Sequence, residues 1–229
     1  MKVAVIRFPG ANCDQDALHA LRDDAHIDAE YVWHEDHSLR GYDAALLPGG
    51  FTYGDYLRCG AMAAGAPILD EVARFAREGR PVIGVCNGFQ ILCEAGLLPG
   101  ALMANAKQKF LCRDVHLQAV NRSSFWTRGV TKTLRMPIAH LEGRYVADPD
   151  TICRLEDEDR IAFRYVPGPG ESPEDANPNG ATHAIAGVLN EKGNVLGIMP
   201  HPERATRKIL GSDDGLLILR ALCAAKAAA

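Results

Sequence analysis

A cysteine lies between a short apolar run and a helix-forming run, in the segment Gly84-Val-Cys86-Asn-Gly88. Gly-x-Cys-x-Gly between a strand and a helix is the thiol form of a nucleophile elbow. Glycines are expected there because side chains in so tight a turn would clash with the flanking strand and helix. The unpaired N–H groups and the dipole of a helix N-terminus favour the thiolate, which is the nucleophilic form. The pattern predicts a catalytic Cys86; the alternative is an ordinary buried cysteine in a turn.

A candidate base and a candidate orienting acid follow late in the chain, in Pro200-His201-Pro202-Glu203 after the apolar run Val195–Met199. Residues two apart on extended backbone point to the same face, and the proline between these two fixes φ. Glu203 can therefore reach the ring of His201, fix its tautomer and stabilise the imidazolium, as the third member of a triad does. The alternative is a solvated His and Glu in a loop at a strand end.

The order Cys, His, Glu, with the last two only two residues apart, differs from the order in α/β-hydrolases and in papain-like enzymes. It resembles the class I, triad-type glutamine amidotransferases, whose signature is Gly-x-Cys-x-Gly-x-Gln followed by a late His-x-Glu. The matching segments here are Gly84–Gln90 and His201–Glu203. The resemblance implies that Cys86, His201 and Glu203 are catalytic and that Gln90 holds the head group of glutamine.

A glycine pair follows the apolar run Asp43–Leu47, in Pro48-Gly49-Gly50-Phe51. At the end of a strand, such a loop lets bare backbone N–H groups point into a crevice. An oxyanion hole needs such donors, because the tetrahedral intermediate places negative charge on the former carbonyl oxygen. By resemblance, we expect the donors to come from the Gly49 and Gly50 region and from the N–H of Asn87.

Motifs outside the triad resemble one kind of amidotransferase subunit, a separate small glutaminase chain that serves purine synthesis. These motifs are Arg7–Asp14, Gly49–Arg58, Ile138–Tyr145, Asn177–Gly180 and Gly193–Arg204. The resemblance implies a large synthetase partner and a small accessory subunit. The partner would use the ammonia to convert formylglycinamide ribonucleotide to formylglycinamidine ribonucleotide. ATP and magnesium are expected on the synthetase, because this chain has no Gly-rich phosphate loop with a lysine.

Three alternatives stay open at this point: a glutaminase subunit of another amidotransferase, a different cysteine hydrolase on the same sheet, such as a peptidase, and a non-catalytic subunit that kept the fold. Gln90 and the Gly49-Gly50 loop speak against the peptidase. The complete Cys86, His201 and Glu203 set speaks against the non-catalytic subunit.

Composition excludes several classes of protein. The chain has 229 residues and a formal net charge of −4, which argues against a nucleic-acid binder. Seven cysteines without a C-x-x-C spacing fit a reducing cytoplasm. Met1–Ile6 is too short for a signal peptide, and we see no apolar run long enough to span a membrane. His34-Glu-Asp-His37 lacks the H-E-x-x-H spacing, so we predict no metal site.

The elements that must position these residues alternate between strands and helices in the first half of the chain. Strands are predicted over Lys2–Arg7, Glu30–Trp33, Asp43–Leu47 and Pro81–Val85, and helices over Asp14–Asp24, Pro67–Glu78 and Gly88–Glu94. The second half is predicted to hold strands Arg113–Val120, Arg135–Ala139, Ile161–Tyr165, Ile185–Leu189 and Val195–Met199 and a last helix over Gly215–Ala225. Residues 166–180, rich in Pro, Gly and acidic residues, are predicted to form a loop.

Repeated strand–helix units predict an α/β fold, a three-layer sandwich with an open, mainly parallel, flavodoxin-like sheet and helices on both faces. We expect one domain over residues 1–229, with the site at the carboxyl ends of the strands.

Overall fold

The computed structural model describes residues 1–121 and 123–226. The strands are, in chain order, β1 Lys2–Arg7, β2 Asp28–Trp33, β3 Ala44–Leu47, β4 Val82–Val85, β5 Ala101–Met103, β6 Leu111–Ala119, β7 Leu134–His140, β8 Arg144–Val146, β9 Ile161–Val166, β10 Ile185–Leu189 and β11 Val195–Ile198. The α-helices are α1 Asp14–His19, α2 Ile68–Arg77, α3 Asn87–Glu94, α4 Pro149–Asp157 and α5 Gly215–Lys226, and a π-helical turn over Ala20–Asp24 continues α1.

Nine strands form one central sheet in the order β2-β1-β3-β4-β11-β10-β9-β6-β7. The first five strands in this order are parallel to one another, and each pairing from β11 to β7 is antiparallel. Strands β5 and β8 form a separate two-stranded sheet. The predicted α/β class is confirmed, and the parallel half of the sheet is the half that carries the predicted site.

Helices cover both faces of this parallel half. The unit β1-α1-β2 steps towards the edge of the sheet, whereas β3-α2-β4 steps in the opposite direction. Because crossovers between parallel strands are right-handed, helices on steps of opposite direction lie on opposite faces. Every residue of β3 and β4 is buried, as expected of central parallel strands covered on both sides.

The predicted strands and helices are present, with ends that differ by a few residues. The strands β5 and β8 and the α-helix α4 were not expected from the sequence. Strands of three residues are too short to show a periodic pattern. Helix α4 did have a signal, since Asp148 caps it by accepting a hydrogen bond from the Thr151 N–H (2.9 Å) and Pro149 is its first residue.

The carboxyl ends of three neighbouring parallel strands bring the predicted site together. In the register of the sheet, Leu47 at the end of β3 pairs with Gly84 of β4, and Val85 pairs with Ile198 at the end of β11. The segments that follow these three strands therefore emerge side by side at one edge. Among the residues described, no helix has both the length and the apolar character needed to cross a membrane.

Candidate active site

Cys86 lies at the turn between β4 and α3 with a strained backbone, φ 50° and ψ −105°. Its N–H donates to the carbonyl of Ile198 (2.8 Å), so β4 stays paired with β11 up to the turn. A Cβ on Gly84 would lie 2.5 Å from the carbonyl oxygen of Gly88, and one on Gly88 would overlap the carbonyl oxygen of Leu47. Both glycines are therefore needed because strand and helix approach each other closely, and the strain is confined to the cysteine.

His201 and Glu203 form a buried pair just after β11. Nδ1 of His201 lies 2.6 Å from Oε1 of Glu203, and each side chain is only 1% exposed. The backbone N–H of His201 donates to the carbonyl of Pro137 (2.9 Å), which holds the turn against β7. Burial lowers the pKa of His201, but the charge of Glu203, followed by that of the Cys86 sulfur, raises the pKa well above its usual value. The pair is thus arranged to stabilise an imidazolium.

The Cys86 sulfur and the His201 ring lie in the same cavity of about 200 Å³, which also contacts Gly50 and Ala139. The sulfur is 3.8 Å from the carbonyl oxygen of Ala139. Nε2 of His201, on the opposite side of the ring from Glu203, is buried and has no hydrogen-bond partner among the residues described. Nε2 is therefore available for proton exchange within the cavity.

The Gly49-Gly50 loop borders the same cavity and makes close backbone contacts. Gly50 has φ 148°, and a Cβ there would lie 2.7 Å from Cα of Ala11. The carbonyl of Gly49 accepts the N–H of Cys13 (3.2 Å). Asn87 is the first residue of α3, so its N–H has no acceptor within the helix. Gly50 lines the cavity, and the oxyanion-hole function of Gly49, Gly50 and Asn87 stays a prediction.

Gln90 is buried one turn into α3, but its side-chain amide is already hydrogen-bonded within the protein. Its Oε1 accepts from Nδ2 of Asn87 (2.8 Å), and its Nε2 donates to the carbonyl of Glu142 (2.6 Å). Oδ1 of Asn87 in turn accepts the N–H of Thr52 (3.2 Å). Gln90 thus connects the segment after the glycine loop to the segment after β7, and it is not among the residues that line the cavity.

The end of β7 is a wall of the site that the sequence analysis did not identify. Besides the carbonyls of Pro137 and Ala139, it contributes His140, which is buried with Nδ1 3.1 Å from Oδ1 of Asn105. Burial, followed by the charge of His201, lowers the pKa of His140 to about 4. His140 is therefore neutral near neutral pH. The motif Ile138–Tyr145 was the available signal, but it did not indicate a role for any one residue.

Cys13 is a second buried thiol at this site, and it too was missed. Nη2 of Arg204 donates to its sulfur (3.1 Å), and Nε of Arg204 donates to Asp16 (3.0 Å). The Cys13 sulfur, a ring nitrogen of His201 and a carboxylate oxygen of Glu203 all lie within 4.8 Å of one another. This donor set is unfavourable for a cation, because Nδ1 is engaged by Glu203 and the Arg204 guanidinium contacts the sulfur.

His34 and His37 are the two histidines whose spacing was considered for a metal site. His34 is buried, and its Nδ1 is 2.9 Å from the hydroxyl of Tyr53. Its ring also stacks on Phe8, with 5.9 Å between ring centroids. The side chain is thus part of the packing beside β1 and β2, whereas His37 is exposed.

A nucleophile elbow and a late His–Glu pair at the carboxyl edge of a parallel sheet define the class of triad-type glutamine amidotransferases. The family profile of the CobB/CobQ-like glutamine amidotransferase domain matches residues 1–213. Phosphoribosylformylglycinamidine synthase subunit PurQ of Thermus thermophilus is 57% identical over 218 residues, which cover 94% of this chain and 95% of that protein. The PurQ subunit of Salinibacter ruber is 49% identical over 223 residues, covering 96% and 95%.

Solved structures agree with the sequence relatives. A chain in the structure of PurLQS from Thermotoga maritima superposes with a TM-score of 0.86 at 42% identity, covering 97% of each chain. A glutamine amidotransferase from Thermotoga maritima, 15% identical with a TM-score of 0.57 over 99% of this chain and 92% of that one, shows the fold alone. The chain belongs to the CobB/CobQ-like glutamine amidotransferases and, within them, to the PurQ subunits of phosphoribosylformylglycinamidine synthase.

Proposed function

We propose that this chain hydrolyses glutamine to glutamate and ammonia through a thioester on Cys86, with His201 as proton carrier and Glu203 as its orienting carboxylate. The observation that carries the proposal is the buried His201–Glu203 pair, which shares one cavity with the sulfur of Cys86. A cavity of about 200 Å³ is smaller than the roughly 300–1,000 Å³ typical of larger ligands. It therefore favours an amino-acid side chain over a peptide.

The geometry suggests a role for each group. The Cys86 thiolate attacks the amide carbon of glutamine, and the oxygen, now negative, is bound by N–H groups from Gly49, Gly50 and Asn87. His201 gives its Nε2 proton to the departing ammonia and then accepts a proton from the water that hydrolyses the thioester. Glu203 stabilises the imidazolium in both steps.

For Gln90 we propose that it shapes the part of the site that receives the glutamine head group. Its amide is held by Asn87 and by the carbonyl of Glu142. This bond pattern supports a function in fixing the distance between two walls of the site. Loss of Gln90 should therefore raise KM for glutamine more than it lowers kcat.

The ammonia is proposed to pass to a large synthetase subunit, which converts formylglycinamide ribonucleotide to formylglycinamidine ribonucleotide in the cytoplasm. The support is the identity to PurQ subunits and the likeness to a chain of PurLQS. The name PurLQS also supports a third, small subunit. ATP and magnesium are proposed to act on the synthetase, and no cofactor is proposed for this chain.

The proposal is tested with Cys86→Ala in the assembled complex. Glutamine-dependent synthesis should be abolished, while synthesis from added ammonia should continue, because the synthetase site is unchanged. Cys93→Ala is the matched control, since Cys93 lies on α3, the helix that follows Cys86, but its sulfur contacts the carbonyl of Pro99 and it does not line the cavity. Glutamine-dependent activity of Cys86→Ala within tenfold of the unsubstituted protein would refute the assignment, and so would hydrolysis of peptides in preference to glutamine.

A further inference from the structure

Two thiols, those of Cys13 and Cys86, border the same cavity. Cys86 is 5% exposed and Cys13 is 3% exposed, and all seven cysteines of the chain are free in this structure. Both cysteines lie beside the ring of His201: the Cys13 sulfur is within 4.8 Å of a ring nitrogen, and Cys86 lines the same cavity as the ring. The reaction proposed above uses only one of them, so the second requires an explanation.

Gly49 lies against both cysteines, because it has no side chain to separate them. A Cβ built on Gly49 would lie 3.2 Å from the Cys13 sulfur, 3.3 Å from Cβ of Cys86 and 2.8 Å from Cε1 of His201. One methyl-sized position is therefore in contact with both cysteines and with the imidazole. A disulfide needs a Cβ–Cβ distance of roughly 3.5–4.5 Å, so Cys13 and Cys86 would have to approach each other beside Gly49 to form one.

Two hydrogen bonds, one of the backbone and one of the side chain, hold Cys13 beside Gly49. Its N–H donates to the carbonyl of Gly49 (3.2 Å), and its sulfur accepts a hydrogen bond from Nη2 of Arg204 (3.1 Å). The segment Phe8–Asp14, which carries Cys13, includes Gly10 with φ 83°. A glycine in the left-handed region is a position where backbone can adjust at low cost.

From this arrangement we infer that Cys13 is a resolving cysteine, which forms a disulfide with Cys86 when Cys86 is oxidised by a hydroperoxide. The inference rests on the proposed function only in that Cys86 must react as a thiolate. A nucleophilic thiolate is also the form that peroxides oxidise, and a nearby thiol determines whether the product is reversible.

The chemistry proceeds in two steps. The Cys86 thiolate attacks one peroxide oxygen, the O–O bond breaks, and the leaving oxyanion takes a proton from the His201 imidazolium to give an alcohol or water. The product on Cys86 is a sulfenic acid. Cys13 then attacks the sulfenic sulfur and gives its proton to neutral His201, the S–O bond breaks, and the departing hydroxide takes that proton to leave as water.

The disulfide blocks the nucleophile reversibly and prevents oxidation to the irreversible sulfinic acid. Glutamine hydrolysis would therefore stop under peroxide and resume when the disulfide is reduced. Without Cys13, the sulfenic acid would persist and be oxidised further, so that a thiol reductant would no longer restore activity.

The test treats the complex with hydrogen peroxide, measures glutamate release before and after dithiothreitol, and maps cysteine products by tandem mass spectrometry. We expect a Cys13–Cys86 peptide pair and recovery of most activity in the unsubstituted protein. Cys13→Ser, normalised to its own untreated rate, should recover at least fivefold less activity and should carry sulfinic Cys86. Cys112→Ser is the matched control, because Cys112 is exposed on β6, and it should recover like the unsubstituted protein.

A disulfide between Cys86 and Cys59, the half-buried thiol of the segment after the glycine loop, would overturn the inference. Equal recovery of activity with and without Cys13 would overturn it as well. Peptide mapping does not depend on glutamine turnover. A Cys13–Cys86 disulfide in a protein without glutaminase activity would therefore uphold the inference while refuting the proposed function.

Discussion

Replacing Glu203 by Gln should slow glutamine hydrolysis by about 10- to 150-fold and should be less damaging than replacing His201 by Asn. The His201–Glu203 bond is 2.6 Å long and both side chains are 1% exposed, so water does not screen it. A hydrogen bond to a charged group contributes about 1.5–3 kcal/mol. Since about 1.36 kcal/mol corresponds to a factor of ten in rate, the loss corresponds to roughly 10- to 150-fold.

His201→Asn removes the proton carrier itself, and loss of general acid–base catalysis costs roughly 10²–10⁴-fold. Glu203→Gln leaves the imidazole in place and keeps a neutral partner for it. The pH dependence provides a second readout. The Glu203 carboxylate raises the pKa of His201, so its removal lowers that pKa, and the alkaline limb of kcat, along which the imidazolium is lost, should move to lower pH.

The assay is glutamate release at saturating glutamine in the assembled complex, measured across pH for both variants. Synthesis from added ammonia serves as the control for assembly and folding. The reasoning would be refuted if Glu203→Gln kept the full rate and an unshifted alkaline limb. It would also be refuted if both variants were equally slow, because the carboxylate would then do more than stabilise the imidazolium.

Three further variants test other contacts of the site. Gly49→Ala should lower kcat by about 10²-fold, because its Cβ would lie 2.8 Å from Cε1 of His201 and a displaced catalytic group lowers the rate by about this factor. Gly65→Ala is the control and should have no effect, because a Cβ on Gly65 would contact nothing within 4 Å. His140 has a pKa of about 4 in the folded chain against 6.5 as its ordinary value. The unfolded chain therefore binds the proton more tightly, and the free energy of unfolding should decrease as the pH is lowered from 6.5 to 4. Urea unfolding should show His140→Gln losing about 2 kcal/mol less than the unsubstituted protein from pH 7 to pH 5, and an equal loss in both would contradict the shift. The isolated chain should hydrolyse glutamine at least tenfold more slowly than the complex with ligands bound. Asn12 is an exposed residue that lines the cavity, and Asn12→Ala should reduce this stimulation by the partner more than it reduces the basal rate. A full rate in the isolated chain would refute the coupling of partner binding to glutamine hydrolysis.

The segment Phe8–Asp14 illustrates how tertiary contacts separate neighbouring residues by role. From the sequence alone, Asn12 and Asp14 have the same predicted function: each is a polar residue that can cap a helix or contact a partner. In the structure Asp14 is buried and forms an ion pair with Nε of Arg7 (2.6 Å), whereas Asn12 is exposed and lines the cavity. Only Asn12 is therefore placed to transmit partner binding without disturbing the fold.

Local sequence patterns were sufficient to predict the elbow, the His201–Glu203 pair and the parallel half of the sheet. The elbow at Cys86 could be predicted because close approach of strand and helix admits only glycine at positions 84 and 88. The reach of Glu203 to His201 follows from a two-residue spacing around a proline, and the parallel half of the sheet follows from alternating strands and helices. Each of these features depends on residues near one another in the chain.

The residues that complete the site from distant parts of the chain could not be identified without the folded structure. The Ala139 carbonyl beside Cys86, the bond from Gln90 to the Glu142 carbonyl and the contact of Arg204 with Cys13 join residues separated by 52 to 191 positions. Strand β7 is separated from β11 by β10, β9 and β6 in the sheet, and it reaches the cavity through long-range contacts such as the hydrogen bond from the His201 N–H to the Pro137 carbonyl (2.9 Å). No local pattern encodes such contacts, because they arise only when buried surfaces and backbone hydrogen bonds are satisfied throughout the whole sheet.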